Sequence, residues 1–241
     1  MSYIPTLKAL VKNLESHTRA RGNPKEVLAI LDTLVQENGG MMNIGPEKGK
    51  IIKDILRKNP PKTMIELGCF FGYSAVMFAG ELQKVEGAKY TSFELSDEFA
   101  AISRRVVDFA GLSSKVDIVV GPASKTLPEF WEKLKKQVDF AFIDHEKKAY
   151  VPDLQIMETV GLVAPGTVLV ADNVILPGAP EYIKYVEAST DERKKLLNAG
   201  SPYPGKWNLL YDSSQIKVQL RHGVGIFDAL EVSRCVGVAE E

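Results

Sequence analysis

Two apolar runs in this chain end in groups that can do chemistry. In FAFIDHEKKAY, residues 140–150, four apolar residues are followed by Asp144, His145, Glu146, Lys147 and Lys148. In TVLVADNVILPGAP, residues 167–180, another run breaks at Asp172 and Asn173 before a Pro/Gly turn. Short apolar runs of this kind read as buried strands, and open α/β sheets bind ligands beyond the carboxyl ends of their strands. Two carboxylates and one amide oxygen form an oxygen-only set with room left for water and substrate oxygens, which suits Mg²⁺ better than zinc. A lone Asp after a strand is usually a helix cap, but three hard ligands from two neighbouring strand ends favour a metal site. Lys147 lies three residues past Asp144 and is near enough to serve that site as a base, whereas Lys148 reads as a solvated lysine. His145 could stack on a cofactor, hydrogen-bond to it, or be structural.

A second constellation is ELGCFFGYS, Glu66 to Ser74. Gly68 and Gly72 allow a tight turn and a close approach of backbone to ligand at a helix N-terminus, or they serve the loop alone. Their spacing is not the G-x-G-x-x-G of dinucleotide sites. The next apolar run ends in Glu94, where an acid can grip the hydroxyls of a ribose. Glu66, already at the first turn, would repel a pyrophosphate but not a cationic nucleoside such as S-adenosylmethionine. The two acids therefore favour a methyltransferase over a nicotinamide oxidoreductase. Glu66 as a structural acid capping backbone donors is the alternative.

The elements that must hold these groups alternate in period. Asn23-Pro24 reads as an N-cap with Pro at the first helical position, followed by Val27, Leu28, Ile30, Leu31 and Leu34 and closed by Gly39-Gly40. A second helix is expected from Pro46 to Asn59-Pro60-Pro61. Then TMIEL, KYTSFEL, VDIVV, VDFAFID and TVLVAD alternate with amphipathic stretches, which predicts βα units and a mostly parallel, doubly wound sheet. SQIKVQL and GIFDALEVSRCV, joined by RHGV, predict an antiparallel hairpin at the end. Residues 189–214 read as one long irregular insertion.

The bulk composition excludes other classes. A chain of 241 residues with 45% hydrophobic content supports an ordinary globular core, and no linker or repeat divides it, so a single domain over 1–241 is expected. Thirty basic against thirty-one acidic residues give a net charge of −1 without a basic block, so no nucleic-acid partner is expected. No apolar run is long enough to span a bilayer. Pro5, Lys8 and Lys12 interrupt any signal-peptide core, and Cys69 and Cys235 alone build no disulfide framework, so a cytoplasmic location is expected.

The stretches MNIGPEKGKII, ELGCFFGYSAV, VVDFAG, FIDHEKKAYVPD and GTVLVADNVILPGAP, in this order, resemble the catechol O-methyltransferase family over residues 22–188. The resemblance implies a Rossmann-like class I methyltransferase fold, with additional helices before the first strand, binding S-adenosylmethionine and Mg²⁺ and methylating one hydroxyl of a small phenolic substrate. It assigns the metal to Asp144, Asp172 and Asn173, and the phenolic proton to Lys147. Glu94 would hold the ribose, Leu95 would also meet the cofactor, and Glu66, Gly68, Tyr73 and Ser74 would surround the methionine portion. Met42, Asn43 and Ile44 would line the methyl-transfer end, with Ala123, Ser124 and His145 near the adenine. Asn173, Pro177 and Lys147 would face the substrate.

Three positions depart from that pattern. The tryptophans that clamp the catechol ring in the animal enzymes are replaced by Gly40 and Glu146, and His222 stands nearest the acid that holds the second hydroxyl. The insertion carries Tyr203, Trp207 and Tyr211, and Trp207 is expected to close the ring pocket in place of the clamp. The altered pocket keeps open methylation of another oxygen or nitrogen acceptor, or a non-catalytic protein that only binds the nucleoside.

Overall fold

The structure is a computed structural model that describes residues 3–220 and 225–240. Seven strands form a mixed sheet ordered β3-β2-β1-β4-β5-β7-β6, and the chain divides into two compact units, residues 1–121 and 122–241.

The first unit opens with three helices, α1 (Ile4–Ser16), α2 (Pro24–Glu37) and α3 (Gly45–Lys58). The Asn23 side chain caps α2 by accepting from the Glu26 amide, with Pro24 in the first turn, as its sequence predicts. Val27, Leu31 and Leu34 are buried on one face, while Leu28 and Ile30 are only half-buried. Strands β1 (Thr63–Leu67), β2 (Lys89–Glu94) and β3 (Val116–Val120) pair in parallel. Helix α4 (Tyr73–Glu81) follows β1, and α5 (Asp97–Phe109) follows β2 with Ser96 as its cap. Gly72 turns into α4 with φ +87°, and a Cβ there would stand 3.2 Å from the Ser103 backbone, so two constraints require glycine.

The second unit contains α6 (Ala123–Leu134), β4 (Phe140–Ile143), α7 (Tyr150–Val160), β5 (Val168–Ala171), α8 (Pro180–Glu187), α9 (Thr190–Leu196), β6 (Leu209–Gln219) and β7 (Phe227–Val238). Strands β4 and β5 are parallel. Strand β7 runs antiparallel to β5, and β6 antiparallel to β7, which makes the expected hairpin. Its RHGV connection, including His222, lies outside the described residues. No helix among the described residues is long and apolar enough to cross a membrane.

The stretch 189–214 is not irregular throughout. It holds α9, begun by a capping box between Ser189 and Glu192, and the first turns of pairing in β6. Nor does Trp207 reach the ends of the strands that carry Asp144 and Asp172. Ala171, at the carboxyl end of β5, pairs with Glu231, which pairs with Gln215. From that level Trp207 lies eight residues back along the β6 direction, roughly 26 Å at strand rise and towards the amino end of β5. The reason is simple: a helix following a parallel strand runs back down the sheet, so the chain leaving α8 starts at the opposite end from Asp172. Trp207 instead packs under Lys194, whose Nζ is 4.0 Å from the indole centroid.

A buried polar knot docks this segment. Glu158 of α7 accepts from the hydroxyls of Tyr185 (2.6 Å) and Tyr211 (2.7 Å) and from the Lys206 amide (2.9 Å). Burial pushes the Glu158 carboxyl up, and these donors with Arg193 oppose the shift. Arg193, 2% exposed, donates to the carbonyls of Tyr185, Val186, Ala188 and Leu209. Removing one member of such a knot strands the others away from water. Glu158→Ala is expected to cost roughly 1–3 kcal/mol in urea unfolding, the scale of leaving buried donors unpaired, whereas Trp207→Ala should lower stability slightly and leave ligand affinity at the carboxyl ends of the strands unchanged.

Candidate functional site

In the second unit, the oxygens singled out from sequence converge. Asp144 follows β4 and Asp172-Asn173 follow β5. The Lys147 ammonium lies 3.1 Å from Asp144 Oδ1 and 3.2 Å from Asn173 Oδ1, so two hard oxygens already share one cationic point. Asp172 is 1% exposed, and its Oδ1 accepts from the Asn173 amide at 2.7 Å. Asn173 takes a left-handed conformation, φ 56° and ψ 38°, which asparagine tolerates better than most residues and which reverses the chain immediately after the strand.

Lys147 is held from below. Tyr150 Oη is 2.5 Å from its Nζ, and the tyrosine hydroxyl donates to the Asp172 carbonyl at 3.1 Å. The ammonium also sits 4.7 Å from the Tyr150 ring centroid. Burial first, then the Asp144 and Asp172 charges, push the Tyr150 phenol well up, so it stays protonated and serves as a fixed hydrogen-bonding post. His145 stacks on the same ring, 5.1 Å between centroids, and pairs with Asp153 at 2.8 Å through Nε2. Its buried Nδ1 finds no protein partner among the described residues. Lys148 is exposed.

Sequence reading missed two members of this cluster. Tyr150 could have been found, because it follows Lys147 at helical spacing. Asp228 carried only a weak signal, one of two acids, with Glu231, inside the largely apolar run GIFDALEV; it is fully buried and accepts from Asn173 Nδ2 at 2.8 Å. Asp228 also holds the Ile175 and Leu176 amides (3.2 and 2.9 Å). The exposed Pro177 follows a cis bond in the same turn. Among the described residues no group of three or more His, Cys, Asp or Glu could hold a metal. The candidate set here is different in kind, two carboxylates and an amide oxygen, which is the donor chemistry of a hard divalent cation.

The first unit gathers the other predicted residues. Glu66 is fully buried in β1 and accepts from Ser92 Oγ at 2.5 Å, while its Oε1 finds no partner among the described residues. Burial raises its carboxyl to about 7, partly opposed by the hydroxyls of Ser74, Ser92 and Tyr90 and assisted by the Glu94 charge. Glu94 braces the glycine turn. Its Oε2 accepts from the Cys69 and Phe70 amides (3.1 and 2.9 Å), and Oε1 from Ser96 (2.9 Å). Gly68, at φ +97°, donates to the Phe93 carbonyl. The Tyr73 hydroxyl is committed to Asp32 at 2.6 Å, so only its ring is free to face a ligand. Leu95 is exposed just past β2. Met42 is exposed and Ile44 buried in the approach to α3, with Asn43 between them. In the second unit, Ala123 and Ser124 form the first turn of α6.

Comparison with known proteins shows the family. A family model described as O-methyltransferase matches residues 19–198. Bovine catechol O-methyltransferase is 40% identical over 170 residues, 70% of this chain and 62% of that protein. The mouse catechol O-methyltransferase is 38% identical over 182 residues, 75% of this chain and 68% of that one. Among solved structures, an O-methyltransferase from Bacillus cereus in complex with SAH superposes with a TM-score of 0.63 at 22% identity, covering 88% of this chain and 90% of that one, a likeness of fold. The sheet is thus a Rossmann-like class I methyltransferase sheet, and the chain belongs to the O-methyltransferase family.

Proposed function

We propose that the chain is a Mg²⁺-dependent enzyme, acting as one methyltransferase domain, that moves the methyl group of S-adenosylmethionine to one hydroxyl of a vicinal diphenol. The observation that carries this reading is the convergence of Asp144 Oδ1 and Asn173 Oδ1 on the Lys147 ammonium, with Asp172 beside them. Asp144, Asp172 and Asn173 would hold the cation. When bound, Mg²⁺ would stabilise a phenolate and S-adenosylmethionine would supply an electrophilic methyl.

The protein's own residues supply the rest. Lys147, after its ammonium has released a proton to solvent, would accept the phenolic proton as the uncharged amine, and Tyr150 fixes the position of its Nζ. Glu66 receives the ammonium of the methionine portion, which its unpartnered, buried oxygen suits. Glu94 holds the glycine turn in shape and meets the ribose, with Leu95 beside it; Gly68, Ser74 and the Tyr73 ring border the methionine. Met42, Asn43 and Ile44 line the transfer end, Ala123, Ser124 and His145 the adenine, and Asn173 and Pro177 the acceptor.

No aromatic clamp stands at the two departing positions. Gly40 has open space around it, and Glu146 is exposed. This favours, as a second reading, a broader range of oxygen acceptors than a clamped catechol pocket admits. Transfer of labelled methyl to a panel of diphenols and monophenols, with and without EDTA, tests both; full activity in EDTA would refute the metal assignment. Asp144→Ala or Asp172→Ala is expected to abolish nearly all turnover while S-adenosylmethionine affinity changes much less.

Lys147→Ala should lower kcat by roughly 10²-fold or more, the scale of lost acid–base catalysis, and Lys148→Ala should do little. Equal losses at both positions would show that neither lysine is the specific base.

The raised Glu66 carboxyl sets a pH dependence. Near pH 6 the free protein holds this proton, and the cationic ligand favours the carboxylate, so binding must expel it. Affinity for S-adenosylmethionine should therefore weaken as pH falls below about 7, by at most ~10-fold per pH unit. Calorimetry in two buffers of different ionisation enthalpy should detect the released proton, and Glu66→Gln should remove both effects.

A further inference from the structure

Asp228 in β7 makes a directional arrangement that the proposed reaction has not used. Its Oδ1 accepts from three backbone amides, Ile175 at 3.2 Å, Leu176 at 2.9 Å and Ala229 at 2.8 Å. Its Oδ2 accepts from Asn173 Nδ2 at 2.8 Å. On the other side of the same amide, Asn173 Oδ1 faces Lys147. An amide has one donating end and one accepting end, and a residue that is to bind a cation must present the accepting end.

We infer that Asp228 is a positioning residue that fixes which end of the Asn173 amide faces the cation site. It is fully buried, and its oxygens meet Asn173 and backbone amides. It acts by offering Asn173 only an acceptor, so that Nδ2 turns to β7 and Oδ1 turns to Asp144 and Lys147. The inference rests on the metal reading given above for its consequence, though not for the hydrogen bonds themselves.

Asp228→Asn probes this with little change of shape. The introduced amide can keep its oxygen on the three backbone donors, or turn over and satisfy Asn173 at the expense of all three. Three outweigh one, so its nitrogen faces Asn173. The Asn173 side chain then turns over and brings Nδ2 to the cation site.

The probe is Mn²⁺, titrated by electron paramagnetic resonance. Asp228→Asn is expected to weaken Mn²⁺ binding roughly 10–100-fold, the scale seen when an outer partner of a metal ligand is lost, with circular dichroism and S-adenosylmethionine affinity little changed. Adding Asn173→Asp to Asp228→Asn should restore Mn²⁺ affinity, because a carboxylate at 173 accepts from the amide at 228 and still presents an oxygen. A metal-free arm in EDTA tests the contact directly. Asn173→Asp alone opposes two carboxylates and should lower Tm, and adding Asp228→Asn should recover it. Unchanged Mn²⁺ affinity in Asp228→Asn, or no coupling between the two positions in Tm, overturns the inference. If the unsubstituted protein binds no Mn²⁺, the metal reading fails, and the Tm cycle alone decides whether Asp228 sets the amide.

Discussion

A carboxylate and an amide can stand at the end of a buried strand only where donors meet the oxygens that water no longer reaches. That constraint organises the second unit of this protein. Asp172, almost fully buried, takes the amide of Asn173, and its carbonyl takes the Tyr150 hydroxyl. Asn173 is gripped through its nitrogen by Asp228. The Lys147 ammonium sits between Asp144 and the Asn173 oxygen, braced by Tyr150. Each group is positioned by another, and the left-handed turn at Asn173 lets the pair point two ways. Preorganisation of this kind is what a site needs to bind a hard cation without first rearranging.

The same constraint appears at the buried acid of the first unit and is resolved differently. Glu66 has one oxygen on Ser92 and the other without a partner among the described residues, and burial raises it to about 7. Glu94, at the end of the next strand, is met by three backbone amides. One acid holds the glycine turn, and the other keeps a buried oxygen that no described residue meets. Away from the strand ends, Glu158 and Arg193 tie the stretch after α8 to α7 and β6 through hydrogen bonds that are almost wholly internal. Its Tyr211 belongs to that anchor, and Trp207 packs under Lys194.

Much of this was legible in the residues themselves. The alternation of short apolar runs with amphipathic stretches specified the βα order, because a strand buried on both faces and a helix buried on one have different periods. Asp144, Lys147, Asp172 and Asn173 could be named because polar and ionisable groups directly after buried strands are costly unless they find partners, and here they meet one another. Asn23-Pro24 was a local signal with a local cause, a side-chain cap on the next helix.

What only the tertiary structure decided is long-range. That Asp228, 55 residues beyond Asn173, holds its amide depends on the register of β7 against β5, and no local pattern encodes it. That Glu94 braces residues 69 and 70 depends on two parallel strands ending at the same level. Trp207 shows the converse. Its aromatic type and Pro/Gly setting suited a lid, but α8 returns the chain to the amino end of the sheet, and the β6–β7 register leaves the indole there. Residue type sets what a side chain can do, a property of the sequence alone; strand direction and register set where it does it, and these arise only when distant segments pair.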